Sequence, residues 1–234
     1  MYFILPFLIW PLLYISSNYL GNKDKETSLK LTRNLLGFVD ASCCCIGAIG
    51  YYLRDDSNWY NYSIIIPISY YIWDSYLIIC RSLHKEYAYV YHHIIAILLL
   101  NELYNTDELF KSQLYPVLVT AELCNLPLYY SYYVIKTNPV GEDVSNELKY
   151  KNLSKHSSAK LFQIVVFILI RVIYFSYHIY NVYPNIERSE PFKAILLTIY
   201  FMGIFWLYSQ IKGYLKDKQK ILTIKSQLAD KKSD

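Results

Sequence analysis

Residues 62–80 read YSIIIPISYYIWDSYLIIC, a run of helical length whose one charge, Asp74, lies near its far end. A soluble helix of this length carries a polar stripe opposite its buried face, and this run has none. At 1.5 Å per residue it is about 28 Å long, close to the ~30 Å thickness of a bilayer's hydrocarbon layer. Residues 161–180 lack a polar face in the same way. Both stretches predict membrane-spanning helices.

Working outward, residues 2–20, 57–73 and 112–121 contain no charge at all. Allowing an occasional ionisable residue gives apolar blocks at about 2–20, 34–53, 62–80, 88–104, 114–135, 159–180 and 194–211. The expectation is an all-α, polytopic bundle of about seven transmembrane spans. It divides into an N-terminal helix with a basic linker (1–33), a six-helix membrane domain (34–215) and a Lys-rich tail (216–234). The average composition hides this. A mean hydropathy of +0.17 fits a rich globular core equally well, because 27 Tyr count as polar although most of their surface is ring. With 54% hydrophobic residues, disorder is excluded for all but the ends. Five Cys, three of them adjacent, exclude a disulfide scaffold. The first block lacks a basic leader and a small-residue cleavage site, so it reads as a retained helix and not as a signal peptide.

Lys and Arg set the sidedness. Seventeen of the 23 lie in the flanks of one side, among them Lys30, Arg33, Arg81, Lys136, Lys151 and Lys155; four, Arg54, Lys111, Arg188 and Lys193, lie on the other. Positive-inside bias then puts the N-terminus outside or in the lumen and the basic tail in the cytosol.

Ionisable side chains are costly at membrane depth and raise a functional question wherever they occur. Helix rise places Asp40, Asp74, His92 and His93 about 6–10 Å in from the cytosolic ends of three helices. They form a candidate catalytic or head-group site, His92 or His93 acting as general base and Asp74 or Asp40 orienting the imidazole. The competing reading is interhelical hydrogen bonding without chemistry. Glu122 and Arg171 lie nearer the midplane, and a buried ion pair between them is expected.

Four fragments resemble the TLC family, named for homology among TRAM, LAG and CLN proteins. Ser69-Tyr70-Tyr71-Ile72-Trp73-Asp74 resembles its aromatic run before an Asp, and Tyr91-His92-His93-Ile94-Ile95-Ala96 its double-His helix. Ala121-Glu122-Leu123-Cys124-Asn125-Leu126-Pro127-Leu128 is similar to its Glu-plus-Pro span, and Leu169-Ile170-Arg171-Val172 to its late Arg. They occur in family order over about 34–215. The resemblance implies an endomembrane protein concerned with lipids. In the ceramide-synthase branch, which moves an acyl group from coenzyme A to a sphingoid amine, the positions like His92 and His93 are needed for activity. That branch also has a His-Asp-x-Ser-Asp element. The corresponding positions here are Leu114, Tyr115, Val117 and Leu118, and Gly37-Phe38-Val39-Asp40-Ala41 stands where many members have a His.

The chain therefore resembles the generic branch, with an implied role in lipid composition, sensing or trafficking. Acyl-CoA-dependent transfer to a lipid is the alternative; acyl-CoA enters only there, as co-substrate, and no cofactor or metal is expected. Membrane lipids are the expected partners, nucleic acid is not, and a homodimer is an allowed assembly. The ending Lys231-Lys232-Ser233-Asp234 resembles a dilysine retrieval signal and implies residence in the endoplasmic reticulum. Internal repeats and Gly/Pro-broken helix pairs, which would favour a transporter, are absent from the sequence.

Overall fold

The computed structural model describes residues 4–18, 25–81, 83, 86–105, 108–182 and 190–230; Lys231 and Lys232 lie outside the described residues. Nine α-helices are found among them: α1 (Ile4–Asn18), α2 (Lys25–Arg54), α3 (Ser57–Cys80), α4 (Tyr87–Asn105), α5 (Glu108–Leu123), α6 (Asn125–Thr137), α7 (Asn146–Phe167), α8 (Phe175–Val182) and α9 (Glu190–Asp230). A π-helical turn, Ile168–Tyr174, joins α7 to α8 without a break. Counting α5–α6 and α7–α8 as single rods, the described residues form an all-α bundle of seven rods. Four segments, Thr27–Arg54, Ser57–Cys80, Asn146–Asn181 and Lys193–Ala229, are long and apolar enough to cross a membrane by length and composition.

Local chemistry sets the boundaries. Between α2 and α3 the chain reverses at Asp55, the one described non-Gly residue with positive φ (50°). Asp56 then caps α3 by accepting from the Asn58 amide at 2.8 Å. Ser145 caps α7 in the same way, accepting from Leu148 N. The apolar block at 114–135, expected as one span, is interrupted at Cys124. Pro127 lacks the amide that a continuous helix would aim at the Leu123 carbonyl, so the ladder cannot run through.

The rods are tied together by aromatic side chains whose polar tips find partners. Trp10 donates from Nε1 to Ser69 Oγ at 2.8 Å and meets the Tyr70 ring edge-on at 5.2 Å, seating α1 on α3. Tyr51, Tyr60 and Tyr115 form a second cluster, with Tyr60 and Tyr115 centroids 4.7 Å apart, and the Tyr60 hydroxyl donates to the Leu103 carbonyl at 2.8 Å. Outside, Leu8, Leu12, Ile46, Ile49, Ile79, Leu169, Ile173, Phe201 and Phe205 are all exposed. Such an apolar exterior on several rods suits hydrocarbon as the surrounding solvent.

Helices α2 and α3 approach closely at Gly47. A Cβ at Gly47 would sit 3.0 Å from Ser63 Cβ and 3.2 Å from its backbone Cα and N, atoms held by the helix itself. Small residues at such crossings let membrane helices pack backbone to backbone. Gly47→Val should therefore cost about 1–3 kcal/mol through overpacking. The check is the thermal midpoint in detergent, which should fall for Gly47→Val and stay in place for Gly141→Ala, where an added Cβ meets nothing within 4 Å.

Candidate functional site

Because α2 begins at Lys25, Arg33 lies two turns inside a helix, on the same side as buried Leu36, Asp40 and Cys44. From there its guanidinium grips Asp74 of α3 with both teeth of the fork, Nε to Oδ1 at 2.7 Å and Nη2 to Oδ2 at 2.9 Å. Asp74 is 3% exposed. A carboxylate so buried needs a cation, and the planar bidentate geometry of Arg supplies one with direction. Nη1 of the same guanidinium donates to Glu86, just before α4. One side chain thus joins α2, α3 and the start of α4.

Two turns into α4 are the histidines. His93 is buried; its ring stacks on Tyr71 at 4.8 Å with an interplanar angle of 16°. Its Nδ1 lies 3.1 Å from Ser75 Oγ and 3.9 Å from Asp74 Oδ2. His92 points about 100° away, as neighbours on a helix must. It meets Trp206 of α9 edge-on at 4.7 Å, and its Nδ1 is buried without a hydrogen-bond partner.

Both imidazoles line a cavity of about 440 Å³ together with Arg33, Asp74, Tyr129 and Trp206. Lys30 and Lys136, from the flanks with most of the basic residues, also line it. Ligand pockets typically measure about 300–1,000 Å³, so the space is large enough for a polar head group. A smaller recess of about 40 Å³ adjoins it; Tyr71, His92, Asn125 and Trp206 belong to both walls. The recess adds Glu122 and Arg171, and it has room for water, which needs about 10–15 Å³.

The expected ion pair between Glu122 and Arg171 is not formed. Glu122 accepts instead from the Tyr71 hydroxyl and from Asn125 Nδ2, the latter at 3.1 Å, so each carboxylate oxygen has a donor nearer at hand. Arg171, on the π turn, lies over the Phe175 ring at 5.0 Å and leaves its Nε without a hydrogen bond. The guanidinium fits there because α9 has Gly203 opposite, where a Cβ would stand 3.1 Å from Nε. Asp40 also departs from the expected geometry. It is fully buried, both its oxygens lack hydrogen-bond partners, and neither imidazole bonds to it. Of the carboxylates expected to orient an imidazole, only Asp74 comes near one.

The structure therefore brings Asp74, His92 and His93 to one cavity and adds Arg33, Tyr71, Tyr129 and Trp206. Arg33 was hidden because the apolar block starts at 34, which made it read as a loop residue. Its signal was spacing: Arg33, Leu36, Asp40 and Cys44 follow helical periodicity, which assigns all four to one face. The cation, the imidazoles and the carboxylate together can hold an anionic or zwitterionic head group, or move a proton on a bound hydroxyl or amine. Removing the cation tests the arrangement. Arg33→Leu should cost about 3–5 kcal/mol by leaving a buried carboxylate uncompensated. Adding Asp74→Asn in the same chain should restore part of the loss, as read by denaturation in mixed micelles.

Comparison with known proteins gives one family. The TLC domain matches residues 30–212, from Lys30 on α2 to Lys212 on α9, and so takes in every residue of the cavity wall. No curated protein and no solved structure matches the chain. The family carries a membrane lipid-related function, in agreement with the apolar helices that make this a membrane protein. With the match covering most of its length, the chain belongs to the TLC-domain family.

Proposed function

We propose that this protein binds a polar-headed membrane lipid in the 440 Å³ cavity and acts in lipid homeostasis through binding, sensing or trafficking. One observation supports this reading above the others. Asp74, His92 and His93 line an open space whose wall sets the three cations Lys30, Arg33 and Lys136 against the two carboxylates Asp74 and Glu86. Residues serving packing alone would close on their partners. A head-group phosphate or carboxylate would meet Arg33 and the lysines. A head-group hydroxyl or amine would meet the imidazoles. In this reading the mouth faces the cytosol and the N-terminus the lumen, as the positive-inside bias supports, and the dilysine-like ending supports residence in the endoplasmic reticulum.

Acyl transfer is the second reading, favoured by the unpartnered Nδ1 of His92. There the imidazole would take a proton from an acceptor amine or hydroxyl as it attacks the thioester carbonyl of acyl-CoA. The C–S bond would break, and the proton would pass to the departing thiolate. His93 would position its neighbour from its stack on Tyr71.

Two measurements separate the readings. Lipid profiles of cells expressing the protein should differ from controls, and Leu128→Trp, which fills the cavity without removing a polar group, should abolish the difference. Unchanged profiles with the wild-type chain would count against lipid handling. Under the second reading, purified protein turns over acyl-CoA with a lipid acceptor, and His92→Ala lowers the rate by about 10²–10⁴-fold, the usual worth of a general base. Full activity in the His92→Ala, His93→Ala double variant would remove the imidazoles from the chemistry.

A further inference from the structure

Helix α6 has two lined faces. Leu128, Tyr129, Tyr132 and Lys136 face the central cavity, whereas Tyr130, Tyr133, Val134, Thr137 and Asn138 face a separate groove of about 1,020 Å³ between α6 and α7. The two spaces share no lining residue. The opposite wall of the groove is one stripe of α7, in which Lys151, Ser154, Lys155, Ser158 and Phe162 recur at helical spacing.

This groove is graded along its length. At the end beside the α6–α7 loop stand Lys151 and Lys155, with Thr137 and Asn138 across from them. Lys155 Nζ donates to Asn138 Oδ1 at 3.0 Å, leaving further donors free on an exposed ammonium. Loop and helix are braced there, since Asn152 Nδ2 bonds the Pro139 carbonyl at 2.7 Å and His156 Nε2 lies 2.8 Å from the Asn138 carbonyl. Seven residues deeper, about 10 Å along the axis, the walls become Phe162 and Tyr130, both 53% exposed, with Tyr133 between at 55%. No carboxylate lines the groove.

We propose that this groove is a lateral binding site for an anionic phospholipid of the membrane leaflet on the basic side. Its phosphate would be held by Lys151 and Lys155 and its acyl chain laid over Tyr133, Tyr130 and Phe162. Charge complementarity selects the sign of the head group, because two cations with no opposing carboxylate favour net negative charge. The gradient selects a lipid over a free anion. An inorganic phosphate would use the lysine end alone and leave the aromatic wall uncovered. The site is distinct from the central cavity in every lining residue.

The test uses the full chain in phosphatidylcholine vesicles containing a trace of either phosphatidylserine or phosphatidylcholine with a photoactivatable acyl chain, the cross-links being mapped by mass spectrometry. The phosphatidylserine probe should label the segment from Tyr130 to Phe162 several-fold more than the phosphatidylcholine probe. Lys151→Ser with Lys155→Ser should bring the ratio to unity, and Lys151→Arg with Lys155→Arg should preserve it. Labelling around Ile72 and Ile79 on α3 should be equal for both probes throughout, which reports an intact bundle. Ser158→Trp, which obstructs the groove while keeping both lysines, should suppress labelling by either probe. Equal labelling of the groove by the two probes in the wild-type chain, or a preference that survives the double serine substitution, would overturn the proposal.

Discussion

The buried carboxylate of Asp74 is answered by a cation, and the packing of α2 on α3 depends on that pairing. The answering group comes from a different helix, so the pair fixes α2 against α3 in both height and rotation. A bidentate fork tolerates little of either, unlike the point charge of Lys. The remaining arm of Arg33 reaches Glu86, six residues before His92 and seven before His93. Two turns of helix then carry the imidazoles to the cavity wall, so the histidines are positioned by an interaction at the start of their own helix.

Away from this pair, polar groups of the interior divide into those with partners and those without. The tyrosine hydroxyls are typical of the first kind: Tyr60 binds a carbonyl, Tyr71 a carboxylate and Tyr115 the Ser63 hydroxyl. Asp40, His92 Nδ1 and Arg171 Nε are of the second kind. His92 and Arg171 line the same small recess. A buried polar atom left unpaired carries a free-energy penalty of about 1–3 kcal/mol. Its persistence beside a recess fits a place where water or a ligand's polar atoms complete the bonding.

The run at 62–80 was legible because hydrocarbon admits few backbone solutions, and a helix without a polar face is the commonest of them. The same logic found the apolar parts of the other rods. It could not find where those helices extend beyond the apolar layer. α2 starts nine residues before its block and α7 thirteen before its own, in polar sequence that at α7 is opened by the Ser145 cap. Arg33 went unseen for that reason. The histidines, Asp74, Glu122 and Arg171 stood out as costly residues in apolar surroundings. Their pairing did not follow from depth alone, because the π turn and the glycine at 203 decide which way the Arg171 guanidinium lies.

The 41 residues of α9 make a helix about 60 Å long, twice the thickness of a hydrocarbon layer. Its basic half is clamped to α7 by the 2.6 Å bond between Lys160 and Asp217 and by Lys160 Nζ on the Gly213 carbonyl at 3.3 Å. A 27.7 kDa membrane protein gives electron microscopy little mass outside its micelle by which to orient particles. Here the fold supplies a built-in mast: a rigid marker joined in helical register after Asp230 would inherit the orientation of the bundle, and the Lys160–Asp217 clamp would keep its base from swivelling.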